Sequence, residues 1–209
     1  MDTVTITDIK TTKKGRHALF CDAGFLFSVD DMTLYKYKLE IGGVLQSDEL
    51  ESMRRDSDYN KAYVKALDFL ALRDHSEKEL REKLMRKFDE HTADAAIGKM
   101  REMGYLDDGA FAKKYADELV ARKGASLREA QNRLWRKGID RSTIEQAVET
   151  YDTDETPRIK ELIEKKYAAK LVAENGQVYV YNALLRKGFS SRDIRSALKE
   201  YEIDIAEQY

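Results

Sequence analysis

Few residues of this sequence are of the kind that do chemistry, and their spacing tells against it. Cys21 is the only cysteine, so neither an intramolecular disulfide nor a zinc ribbon can form within the chain. His17, His75 and His91 stand far apart, without metal-ligand spacing. Asp107-Asp108, just ahead of Phe111-Ala112, is a paired acid of the sort that serves a metal ion or a general base. The pair falls where a helix should start, however. A carboxylate there accepts from free N–H groups and faces the positive end of the helix dipole. No second acidic or histidine cluster can be set beside it. Gly15 and Gly42-Gly43 form no phosphate-binding fingerprint, and no Ser-His-Asp arrangement is present. These residues predict a protein that is not an enzyme and that needs no metal or cofactor.

What remains is charge. The 209 residues carry 37 Lys+Arg against 39 Asp+Glu, a formal −2, but the signs are segregated. Arg122, Lys123, Arg128, Arg133, Arg136, Lys137 and Arg141 stand against two acids, a net +5 over 122–141. Arg186, Lys187, Arg192 and Arg195 lead a second stretch, a net +4 over 184–199, while residues 200–209 contribute −4. Such stripes suit nucleic-acid phosphate or an acidic protein groove; the alternative is an ordinary solvated helix surface laced with i,i+4 pairs. Trp135, the only tryptophan, has the chemistry to stack on a base or anchor a partner, but in a helix rich in core positions it reads as core. The tyrosines of the last part, Tyr167, Tyr179, Tyr181, Tyr201 and Tyr209, read mostly as core and edge packing, with interface aromatics as the alternative.

The elements that must position these residues fall into two kinds. Thr3 to Ile9 alternates, and His17–Phe20 and Phe25–Val29 are short apolar runs around the turn Asp22-Ala23-Gly24, which predicts a small three-stranded meander. A helix over Thr33–Leu39, capped by Ser28, Asp30 or Asp31 and ended by Gly42-Gly43, should cover it, followed by a short helix Asp48–Met53 capped by Ser47. The polar Arg54-Arg55-Asp56-Ser57-Asp58 marks the expected boundary of this α+β part, 1–57.

From Tyr59 onward the 3.6-residue period takes over and repeats. Residues 76–88, 126–138 and 176–188 superimpose at a spacing of 50, sharing Leu84-Met85-Arg86-Lys87, Leu134-Trp135-Arg136-Lys137 and Leu184-Leu185-Arg186-Lys187. Such a period predicts tandem helical units over 58–106, 107–153 and 154–209, three helices in each. The middle helices start at Ser76-x-x-Glu79 and Ser126-x-x-Glu129, and two of them end at Gly138 and Gly188. The first helices cover Tyr59–Leu72, Asp108–Arg122 and Pro157–Val172, with Thr156 capping ahead of the only proline. The third helices start from Thr92, Asp140 and Ser190. A narrow stripe of Leu127, Ala130, Leu134 and Gly138 should be buried, as should Leu80, Leu84 and Phe88, and Val180, Leu184 and Gly188. The fold class is therefore mainly α behind a small β-rich part.

In order along the chain, ALDFLALR, HSEKELREKL, MGYLDDGAFAKKYADELVARKGAS, LWRKGID and LLRKGF resemble the RecX family of bacterial recombinase regulators. The likeness covers residues 60–200. It departs where Phe88 replaces a glycine before a longer loop and where Asn175-Gly176 replaces the third serine cap. The resemblance implies an elongated array of three three-helix repeats that binds RecA in the groove of its DNA filament. There it would restrain the recombinase's ATPase, strand-exchange and co-protease activities. It implies no catalysis, and its candidate contacts are the eleven basic residues named above, to RecA or to single- or double-stranded DNA. A stand-alone DNA-binding module is the alternative. With no apolar run long enough for a membrane span and no apolar leader block, the expectation is a cytoplasmic protein, a monomer, with no membrane partner.

Overall fold

The computed structural model of the protein describes residues 3–206; Tyr209 and the end of the acidic 200–209 run lie outside the described residues. The chain forms two compact units, Met1–Leu106 and Asp107–Tyr209. No helix among the described residues is long and apolar enough to cross a membrane.

In the first unit the alternating N-terminal segment is two strands, because it changes partner midway. β1 (Thr3–Thr5) pairs antiparallel with β5 (Val44–Gln46). Ile6 exchanges backbone bonds with Gly42 and Gly43, and Thr7 then donates to Phe20 O at 2.8 Å. β2 (Asp8–Thr11), β3 (His17–Cys21) and β4 (Gly24–Val29) make the expected meander, order β2-β3-β4. Ile6, Leu19, Val29, Leu39, Leu45 and Met53 form its core. α1 is Asp31–Lys36 with Asp30 as its cap. It stops short of Leu39 and the glycines because Lys38 adopts φ +49° and Leu39 N–H bonds Leu34 O, a left-handed closure usually given to glycine.

The expected short helix and boundary are both replaced by one long helix, α2 (Ser47–Leu72). Arg54 and Arg55 are polar because they face water. Ser57 is buried against the sheet, its hydroxyl donating to Ser28 O at 3.0 Å and accepting from Arg16 at 2.6 Å. A polar run without Gly or Pro carries no helix break. α2 thus gives Met53 to the sheet's core and Ala62 and Ala66 to the first helical core. α3 (Glu77–Leu84) and α4 (Glu90–Glu102) complete that core with Leu80, Leu84, Ala93, Ile97 and Met100. Phe88 is half-buried against it. The Ser76–Glu79 capping box forms with both bonds. α4 is capped by Asp89 in place of Thr92, which sits at the third helical position with its N–H bonded to the Asp89 carboxylate at 2.9 Å.

The second unit holds two further helical groups. α5 (Asp108–Asp117) runs into a π-turn, Glu118–Arg122, and is followed by α6 (Leu127–Arg136) and α7 (Arg141–Val148). Phe111, Ala112, Ala116, Leu134, Ile139 and Ile144 pack as one core, Leu119, Val120, Ala125 and Ala130 as a second. The last group is α8 (Thr156–Lys166), α9 (Ala168–Leu171), α10 (Gly176–Arg186) and α11 (Ser191–Ala206). The single helix expected over Pro157–Val172 is two, breaking at Tyr167, and its cap is Glu155 in place of Thr156. The buried stripe is narrower than expected: Ala130 and Leu134 are buried, Leu127 is half-buried and Gly138 is exposed.

The two groups of this unit are fastened at the start of α6. Ser126 N–H donates to Lys187 O at 2.9 Å, so Glu129 does not close a capping box. Its carboxylate accepts from Arg133 Nε at 2.6 Å. Gly188, at φ +92°, sits so close that an added Cβ would lie 2.5 Å from Ser126 Oγ and 2.7 Å from Glu129 Cβ. Buried Glu155 accepts from Leu127 N–H at 2.9 Å and from Arg158 at 3.1 Å. Removal from water pushes its carboxyl above the usual carboxylate range.

Candidate functional site

Asp107, His17 and His75, three of the residues that might have done chemistry, are occupied structurally. Asp107 caps α5, accepting from Ala110 N–H at 2.9 Å. His17 meets Asp31 at 2.6 Å. His75 is buried, with Nδ1 2.9 Å from Arg73 O and Nε2 2.7 Å from the Lys83 ammonium. Because an ammonium only donates, Nε2 accepts, and the proton on Nδ1 goes to the carbonyl. No group of three or more His, Cys, Asp or Glu able to hold a metal occurs among the described residues.

The eleven basic candidates divide by what already holds them. Lys123 pairs with Glu118 at 2.6 Å and Arg141 with Glu145 at 2.8 Å. Arg133 and Arg136 share Glu129, the latter at a loose 3.6 Å. Lys137 stands 5.2 Å from the Tyr115 ring centre. Lys187 is half-buried and donates to Lys123 O at 2.8 Å. Burial, then the nearby charges of Lys166 and Arg133, lower its affinity for a proton. Arg122, Arg128, Arg186, Arg192 and Arg195 are exposed. Arg195 borders a groove with Val178, Tyr181 and Leu198. Arg122 lines a cleft of about 420 Å³ with Tyr151, Arg158, Glu161, Lys165 and Lys166. Lys165 and Lys166, outside the eleven, follow a stretch that is acidic on average, a net −3 over 150–164; the adjacent lysine pair is itself the signal that could mark them.

Trp135 corrects the sequence reading. Its side chain is 64% exposed, not core. The reason is angular: at 100° per residue it lies about a quarter-turn or more from Ala130 and Leu134, which hold the buried side. Met85, at the matching place just past the end of α3, is 42% exposed, and Leu185 in α10 is half-buried. The residue ahead of Arg-Lys is therefore an outward apolar position in two of the three copies.

Comparison with known proteins agrees with this three-helix construction. Residues 62–100 match the family model described as RecX, first three-helix domain, and residues 107–148 that of RecX, second three-helix domain. Regulatory protein RecX of Listeria monocytogenes serotype 4a is 30% identical over 98% of this chain and 78% of its own length. That of Clostridioides difficile is 30% identical over 93% and 94%, and that of Bacillus velezensis 32% over 95% and 79%. A crystal structure of regulatory protein RecX superimposes with a TM-score of 0.67 over 94% of this chain and 99% of the other, at 24% identity. That of RecX from Lactobacillus salivarius gives 0.58 over 70% and 97%, at 26% identity. With identity of this order sustained from the N-terminal strands through the last helices, the chain belongs to the RecX family.

Proposed function

We propose that this protein is a regulator of the RecA recombinase, acting in recombination and DNA repair by binding the RecA–DNA filament and restraining its ATPase, strand-exchange and co-protease activities. The observation that carries the reading is the near-full-length match to proteins named as RecX regulators. The side chains support binding over catalysis, since Asp107, His17 and His75 are engaged in a cap, an ion pair and packing while Arg122, Arg128, Arg186, Arg192 and Arg195 face outward. Such charges steer association with an anionic partner and fix its register. The protein acts as a cytoplasmic monomer in this reading, and its helical groups supply the docking surfaces.

The test is the DNA-dependent ATP hydrolysis of RecA titrated with this protein. Substoichiometric amounts suppress it, and the double substitution Arg133→Glu with Arg136→Glu weakens the suppression. ATP hydrolysis unchanged at equimolar protein overturns the proposal.

A further inference from the structure

Turned away from the core, α6 presents one outward face made of Arg128, Gln131, Asn132 and Trp135. On a 100° wheel these four fall within about 100° of one another. Arg128, Asn132 and Trp135 are exposed and Gln131 is half-buried. The face holds no acid. Glu129, the only acid on α6, lies to one side, its carboxylate taken by Arg133 and Arg136. Arg128 makes no ion pair among the described residues.

The matching face of α3 follows the same plan but carries an acid, Glu82. Its Arg81 is paired within the protein with Glu90 at 2.6 Å and Asp94 at 2.5 Å, and Lys78 stands 4.0 Å from Glu82. Met85 stands in place of the indole. The matching face of α10, Val178, Tyr181, Asn182 and Leu185, keeps one amide but has neither the arginine nor the tryptophan. Only α6 combines an unpaired guanidinium, two planar amides and an exposed tryptophan.

We propose that this face of α6 binds single-stranded nucleic acid, with the Trp135 indole stacked on an unpaired base. Arg128 takes a backbone phosphate, and the Gln131 and Asn132 amides hydrogen-bond base edges. An indole in water stacks on any base, whatever its identity, and a guanidinium with no internal acid favours the phosphate charge. A duplex hides its base faces, so the site prefers a single strand. This deepens the filament reading by assigning this face to the nucleic-acid strand and not to the recombinase.

Because Trp135 is the only tryptophan, its own emission is the assay, and no recombinase is needed. At low salt, an oligothymidylate of about 12 nucleotides produces saturable quenching that weakens as salt is raised, and a duplex of the same length produces little. By anisotropy of a labelled strand, Trp135→Ala weakens binding at least about fivefold, whereas Trp135→Phe stays near wild type. Arg128→Ala weakens binding and lowers the slope of log affinity on log salt by about 0.7. Both positions are exposed, and circular dichroism checks that the three variants stay folded. Absence of quenching, equal quenching by duplex, or full binding by Trp135→Ala overturns the proposal. A protein that fails here but suppresses RecA ATP hydrolysis refutes this site alone. One that passes here and leaves that hydrolysis unchanged refutes the filament reading alone.

Discussion

His75 is the residue at which the fold commits itself to one protonation state. Both ring nitrogens are engaged at hydrogen-bond distance, one as donor to Arg73 O and one as acceptor from Lys83. Lys83 also lies 4.7 Å from the centre of the Phe69 ring, which packs near the imidazole. A second proton would break the Lys83 bond and set two cations side by side. Burial first, and then the charges of Arg73 and Lys83, hold the imidazole below its usual value. The folded state therefore binds this proton less readily than the unfolded chain. Its contribution to stability is whole above the ordinary imidazole range, near pH 6.5, and is lost as pH falls through the lowered folded value. Thermal denaturation at pH 7.5 and pH 5.5 measures this: the wild type loses more stability on acidification than His75→Asn, and equal losses in the two proteins would remove His75 from the account.

At the scale of elements, α2 decides how the N-terminal sheet belongs to the helical part. Its middle, Arg54–Asp58, is helix held on both sides by buried contacts. Arg55 is exposed, so Arg55→Ala changes stability little. Arg55→Pro removes a backbone bond and clashes with the turn before it, costing about 3 kcal/mol or more. A melting temperature for Arg55→Pro within a degree or two of Arg55→Ala would mean that the segment behaves as a linker. Composition alone made it look like one, because a solvent-facing helix and a linker are both polar. What separates them here is Ser57, whose hydroxyl serves Ser28 O and Arg16, a tertiary fact that no local pattern carries. The helical groups were far more legible. Ser76, Asp107, Asp140 and Ser190 each cap a helix, since caps and apolar stripes are local signals. Legibility failed where partners lie far off in sequence. β1 and β2 part because Ile6 pairs with residues 42–43. Trp135 is exposed because two neighbouring alanine and leucine positions already supply the buried side. The candidate cations are all visible in the sequence, but only the structure separates Arg128, which makes no ion pair among the described residues, from Lys187, which donates to Lys123 O.

For the whole molecule, the division at Leu106 and Asp107 separates complete cores. The first unit holds the sheet core and the first helical core, the second the remaining three. Each has what a domain needs to fold alone. Residues 107–209 made as a fragment should give a helical circular-dichroism spectrum and a single cooperative melt. A spectrum without a cooperative transition would show that its cores depend on the first unit. Inside the first unit, the shared helix α2 has a consequence of another kind, one of phase. Met53 and Ala62 belong to different cores on one rigid rod, about 13 Å apart along its axis at 1.5 Å per residue. Adding a single residue between them would turn the sheet by about 100° against the first helical group. Sequence drift in this stretch is thus quantised. Substitutions pass freely on the watered side, but length can change only by near-whole turns, so related chains that keep both cores must keep this spacing as strictly as they keep the cores themselves.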